Sequence, residues 1–273
     1  MLTKVEIINV RGDVLPLTLS DFSGGYLVRD IQGLGPVKAS LTSSSLAQVD
    51  GAQPQSSRRD TRNITMKIGL KPNYDTLTVA GLRSNLYKYM LTKAVIGMNF
   101  YIDGVLFAST TGTVETHDNN MFSDDPEMDS SIICYDPDFY GPNVITVDGS
   151  TVADTTTQTI TYDGTSDAGI IFTLNVDRDI AGFSLYNTKP DGTSQIYDFE
   201  AALVSGDVVT ITTIARKKSA IKVTSGTPSS VLYGVQPASD WIDLGEGDNS
   251  FRAQVSGAAI AYTIQYTPKY GAL

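Results

Sequence analysis

One histidine, His117, and one cysteine, Cys134, are the whole supply of imidazole and thiol in 273 residues. His117 lies in Glu115-Thr116-His117-Asp118-Asn119, where a base could serve a Ser-His-Asp arrangement, but no Gly-x-Ser-x-Gly elbow supplies the serine. It is expected in a surface loop. Cys134 follows Ile132 and Ile133, an apolar run in which a thiol acts as a small hydrophobe with a raised pKa and not as an activated thiolate. Single copies of each residue exclude an intrachain disulfide framework and zinc-finger ligand sets.

The carboxylates give no sharper lead. Asp124-Asp125-Pro126-Glu127-Met128-Asp129 holds hard oxygen ligands of the kind calcium takes, yet without the spacing or the glycine of an EF-hand loop, so a solvated loop is expected. Asp136 and Asp138 flank Pro137; they could be a glycosidase pair, but that offset is ordinary turn composition. Gly33 and Gly35 run into Pro36 instead of a helix that would present backbone N–H groups to a phosphate. No catalytic residue, metal site or cofactor is therefore expected.

Binding is the remaining class of function. A net charge of -10 disfavours a partner held through phosphates, so nucleic acid is not expected as a sequence-specific ligand. Trp241, beside Asp240, and Tyr233 could stack a sugar ring, although Trp241-Ile242-Asp243-Leu244 alternates as a strand with the indole packed inward. Segment 42–62 is too polar to order itself by burial and too long for a passive connection. It ends in Arg58, Arg59 and Arg62, while acidic residues concentrate elsewhere. The segment is either a merely flexible loop or ordered by a neighbour; in the second case Gln48, Val49, Gln53, Gln55, Arg58, Arg59 and Arg62 are expected at a contact between subunits.

These residues need a scaffold, and the scaffold reads as mainly β. Ile64, Met66, Ile68 and Leu70 recur at a spacing of two, which places them on one face of a strand over 61–70. Residues 98–109 read as a hairpin turning at Asp103-Gly104. Between them, Val79, Leu82, Leu86, Tyr89 and Met90 predict one helix over 76–91, capped by Asp75 or Thr76. The Pro- and Gly-rich stretch 134–142 marks a boundary, giving domains 1–138 and 139–273. Beyond it, nine short strands alternate with turns at Asp148-Gly149, Asp163-Gly164, Asp191-Gly192, Gly206-Asp207 and Gly247-Asp248-Asn249, the pattern of an antiparallel sandwich. Up to Tyr135 there are 12 basic and 14 acidic residues; from Asp136 onward there are 8 and 16, so the acidity sits mostly in the second half. The start lacks a secretory leader and no run is apolar enough to span a membrane, so synthesis in a cytoplasm without membrane insertion is expected.

Several pieces in this order resemble the distal tail proteins of long, flexible-tailed bacteriophages over nearly the whole chain. They are Ile31-Gln32-Gly33-Leu34-Gly35-Pro36, Asp50-Gly51-Ala52, the arginines 58–62, the helix piece Leu82-Arg83-Ser84-Asn85-Leu86-Tyr87, and Ile133 to Gly141 at the junction. Leu203-Val204-Ser205-Gly206-Asp207-Val208 and Trp241 to Phe251 follow in the second half. The resemblance implies an N-terminal sandwich or barrel-like β domain with one helix and an extended hairpin, closing a homohexameric ring, and a galectin-like C-terminal sandwich. It implies a structural, non-enzymatic protein at the distal end of the virion tail, made in the host cytoplasm. Its ring would join the tail tube protein to a tail-tip hub resembling a tail-associated lysin, leaving a channel for DNA. The family's belt hairpin would map to 42–62. The sugar-contact set of true galectins is absent, so galectin-like shape alone gives no warrant for sugar binding. A carbohydrate-binding C-terminal sandwich is the alternative reading.

Overall fold

The computed structural model describes residues 1–22, 24–45, 50–73, 75–119 and 124–273, whose contacts divide into two units. One comprises Met1–Pro142 with Gly271–Leu273, the other Asn143–Tyr270. The division lies beyond the expected boundary after residue 138 because Phe139 is buried in the first unit, edge-on to Phe100 at 5.3 Å. The C-terminal residues return to that unit, where the Leu273 N–H donates to Leu34 O at 3.0 Å.

The strands of the first unit are β1 (Leu2–Ile8), β2 (Val14–Thr18), β3 (Tyr26–Gln32), β4 (Ala39–Ser44), β5 (Gln53–Arg59) and β6 (Arg62–Leu70). After helix α1 (Val79–Tyr89) come β7 (Val95–Ile102), β8 (Val105–Asn119), β9 (Glu127–Cys134) and β10 (Phe139–Tyr140). The main sheet is antiparallel in the order β2-β1-β7-β8-β9-β6-β3 and does not close into a barrel. Alternation drives it: Ile64, Met66, Ile68 and Leu70 of β6 are all buried, as their spacing requires. Facing residues of β1 and β7, Val5 with Phe100 and Ile7 with Met98, extend the same core. The β7–β8 hairpin turns through Asp103 (φ 49°) and Gly104 (φ 82°), the paired positive angles its dipeptide predicts.

Helix α1 buries Leu82 and Leu86 and is followed by buried Met90, the stripe read from the sequence. Its cap is Thr78, whose Oγ1 accepts the Gly81 N–H at 3.1 Å, and neither Asp75 nor Thr76. Tyr26 ties β3 to the helix by donating its OH to Leu82 O at 3.0 Å. His117 falls in β8 and not in a loop, because the strand runs on past the expected end of the hairpin.

The second unit contains β11 (Ile145–Ser150), β12 (Gln158–Tyr162), β13 (Ala168–Gly169), β14 (Ile171–Asn175), β15 (Phe183–Thr188) and β16 (Ser194–Phe199). There follow β17 (Val208–Thr212), β18 (Ser219–Thr224), β19 (Thr227–Ser230), a 3₁₀ turn at Leu232–Gly234, β20 (Asp243–Leu244), β21 (Gly247–Gln254) and β22 (Ala261–Tyr266). They form a six-stranded antiparallel sheet, β11-β22-β14-β17-β18-β19, a four-stranded one, β12-β21-β15-β16, and a separate pair, β13-β20. The inward rows of the two sheets meet in an aromatic core, with Phe172 5.7 Å from Phe183 and 5.2 Å from Tyr262, and Phe183 5.0 Å from Phe199. Asp148-Gly149 is not a turn but lies inside β11. A Cβ at 149 would sit 2.4 Å from the Tyr262 ring, so the glycine makes room for that aromatic. Strand β19 went unread because Pro228 interrupts its propensity; it is reached by a tight turn through Ser225 (φ 48°) and Gly226 (φ 80°).

Candidate assembly interface

Strands β4 and β5 form a two-stranded sheet of their own, separate from the main one. Their register pairs Ala39 with Arg59, Ser40 with Arg58 and Leu41 with Ser57, and slips at a bulge between Thr42 and Ser43 before Ser44 meets Gln53. All seven β5 residues are exposed, and Leu41 on β4 is 76 % exposed. Within the pair, Gln55 Nε2 donates to Ser44 Oγ at 2.8 Å. Among the described residues this arm is a two-stranded sheet that joins no other strand, with β5 exposed along its length, the arrangement that invites pairing with another chain. A hairpin of two strands is marginal by itself in water.

The base of the arm is built differently from its length. Ser40 Oγ donates to Asp60 Oδ1 at 2.7 Å, and the Asp60 N–H to Lys38 O at 2.9 Å, closing the two strands where they leave the body. Arg59 forks onto the buried carboxylate of Asp138, with Nη2 3.0 Å from Oδ2. Asp136 serves the same junction, its carboxylate accepting the Asp138 N–H at 3.2 Å and the Tyr140 OH at 2.7 Å. Both acids read from the sequence as a possible glycosidase pair are thus engaged in fastening the segment before β10.

Arg62 is 1 % exposed. Its guanidinium donates from Nε to Pro137 O at 2.8 Å, from Nη1 to Gly33 O and Gly35 O at 2.6 Å each, and from Nη2 to Gly271 O at 2.6 Å. It also lies over the Phe139 ring, 4.2 Å from the centroid. Burial lowers its pKa from the usual guanidinium value. The intersubunit contact expected of Arg62 is not available to it, because its donors are spent on four carbonyls that gather three chain segments around one charge. The spacing held this signal: Arg62 has the parity of Ile64, Met66, Ile68 and Leu70, so it belongs to the core row. Gly33, one of its acceptors, has φ +84°, and a Cβ there would lie 1.9 Å from Asn63 O.

Of the other residues expected at an interface, Gln53, Gln55, Arg58 and Arg59 are exposed on β5, and Gln48 and Val49 lie outside the described residues. The acidic run is engaged by cations: Arg29 pairs with Asp125 and Glu127, and Lys67 stands 3.6 Å from Glu127 and 3.9 Å from Asp129. Trp241 packs edge-on to buried Tyr197 at 5.5 Å, while Tyr233 is 79 % exposed.

His117 and Cys134 are both structural in their surroundings. Cys134 is buried, and burial pushes its thiol pKa up. His117 Nδ1 lies 2.7 Å from Ser130 Oγ, and its ring meets Tyr87 of α1 at 5.5 Å. Burial pulls its pKa down, against the opposing charge of Asp118. The unfolded chain therefore takes up this proton near pH 6.5, at higher pH than the folded one. The contribution is full above that pH and falls as pH drops towards the depressed native value. Denaturant midpoints of the first unit should decline between about pH 7 and 5, more in the parent than in His117→Gln; identical pH profiles would contradict this.

Residues 163–270 match the family described as siphovirus-type tail component, C-terminal domain. The match lies within the second unit. Over the whole chain, the structure is similar to SPP1 Dit (gp 19.1), a protein described as a paradigm of the hub adsorption apparatus in phages that infect Gram-positive bacteria. The TM-score is 0.68 at 14 % identity, covering 97 % of this chain and 98 % of that one. At that identity the likeness is one of fold. A chain of the phage P2 baseplate in its activated conformation with Ca aligns with a TM-score of 0.49 and 9 % identity, covering 100 % of both chains. No curated protein sequence matches this one. The resemblance to the distal tail proteins is borne out, and with it the mainly β architecture.

Proposed function

We propose that the chain is a structural protein of a phage tail that closes with copies of itself into a six-membered ring. The tail component domain at 163–270 and the SPP1 Dit-like fold support the tail assignment. The observation that carries the ring is the arm: a fully exposed β5 and an exposed Leu41, on a two-stranded sheet separate from the main one and with a base fixed by Arg59 and Asp138. A fixed base with an exposed strand suits a heterologous contact, in which each subunit gives its arm to one neighbour and receives that of the other. Such contacts stop at a fixed size when the rotation closes. The ring would join the tail tube to the tail-tip hub at the distal end of the virion and leave a channel for DNA. Gln53, Gln55 and Arg58 are the arm residues assigned to the neighbour, and Arg59 orients the arm from its base. This role is mechanical and calls for no turnover.

Deletion of residues 42–57 tests it. The deleted protein should keep the thermal stability of the first unit, since β5 is exposed along its length and buries no core residue, and should elute as a monomer under conditions where the parent assembles, with mass read by light scattering. An unchanged assembly would remove the arm from the account.

A further inference from the structure

Several cations of the second unit have partners close by. Arg178 is held by Asp177 and by the carbonyls of Ser256 and Ala258. Lys189 lies 2.7 Å from both Asp167 and Asp243, Lys222 reaches buried Asp207 at 3.5 Å, and Arg252 covers the Tyr186 ring at 4.0 Å. The turn between β17 and β18 is the exception. Arg216, Lys217 and Lys218 are consecutive, exposed and without a carboxylate partner among the described residues, in the acidic half of the chain. The turn closes through the Lys217 N–H to Ile214 O at 3.0 Å and holds Arg216 at φ +66°, a left-handed conformation that residues with a Cβ seldom adopt. Three consecutive exposed cations thereby stand on one turn, a positive site that an acidic partner would complement.

Apolar surface adjoins these charges. Lys218 Nζ stands 5.2 Å from the centre of the Trp241 ring. The Val231 N–H donates to Ala220 O at 2.9 Å, which brings the following Leu232 (47 % exposed) and Tyr233 (79 % exposed) beside the strand that Lys218 enters. We propose that this surface docks an acidic segment of another protein that carries an apolar anchor residue. A purely phosphate-bearing chain would satisfy the cations and leave Leu232 and Tyr233 in water, whereas an acidic peptide with one large apolar side chain covers both. Tyrosine, tryptophan and arginine in one patch are also the composition of protein-binding hot spots. Pro228 withholds an N–H from edge strand β19, so the docking is by side chains and not by strand addition. The proposal does not depend on the ring.

Trp241 is the only tryptophan in the chain, so its emission reports this surface alone. The full-length protein is titrated with the peptide Glu-Leu-Glu-Glu-Phe-Glu, with hexaglutamate and with a glycerol phosphate oligomer. The mixed peptide should change the emission saturably and bind more tightly than either other probe. Affinity should fall about tenfold in the triple variant Arg216→Glu/Lys217→Glu/Lys218→Glu, and by less in Tyr233→Ala. Lys217→Glu alone, at an exposed side chain, should weaken binding in a protein whose unliganded emission and circular dichroism match the parent. No saturable change, unchanged affinity in the charge-reversed variants, or binding by hexaglutamate or glycerol phosphate as tight as by the mixed peptide would overturn the proposal.

Discussion

Arg62→Ala is expected to cost the first unit about 4 kcal/mol, from the loss of charge-assisted hydrogen bonds together with the packing of a buried large side chain. The substitution removes the donors of four carbonyl bonds and the cation over Phe139, and leaves a cavity where the buried side chain stood. Whole domains are stable by only about 5–15 kcal/mol, so most of the margin goes. In urea the midpoint should fall by about 2 M, taking a slope of about 2 kcal/mol per molar. Hydrogen exchange in β6 and β9 locates the loss. Arg62→Lys should recover only part of it, because an ammonium lacks the planar fork that reaches Pro137, Gly33, Gly35 and Gly271 together. A midpoint within experimental error of the parent would show that the guanidinium is not what gathers these segments.

The second large effect is at Gly33. A Cβ there meets Asn63 O at 1.9 Å, a backbone atom that cannot swing aside, and the residue's φ of +84° adds about 1–2 kcal/mol of strain for any side chain. Gly33→Ala should cost about 3 kcal/mol in all. The damage falls at the entry to the arm, since Gly33 precedes β4 and its carbonyl is held by Arg62. Assembly should therefore fail at temperatures where the variant is still folded. Because both substitutions act on one contact, Gly33→Ala combined with Arg62→Ala should cost less than the sum of the two. Strict additivity, or full assembly of folded Gly33→Ala, would contradict this picture.

Where side chains alternate, the sequence was legible. The core row of β6, the stripe of α1, the Asp103-Gly104 hairpin and strand β12 could each be read from period or turn chemistry alone. Strands β4 and β5 could not be read as strands, because their stability does not come from burial: polar residues on both faces leave no periodicity to see. What could be read was the need of that segment for a partner. Residue type alone does not show the role of Arg62; three nearby arginines look alike in composition, and parity sets Arg62 in the buried row of β6 and Arg59 outside it, while Arg58 shares that parity but lies on the exposed strand β5. Asp138 as the partner of Arg59, and the return of Gly271 and Leu273 to the first unit, are pairings distant in sequence, which no local pattern encodes.

Arm exchange between identical subunits is the centre of the account, and the mass of the intact full-length assembly tests it most directly. Native mass spectrometry over a range of protein concentrations should give a closed species of six 29.3 kDa chains, with no ladder of larger multiples. A single-chain mass at every concentration, or an open series without a preferred size, would contradict it.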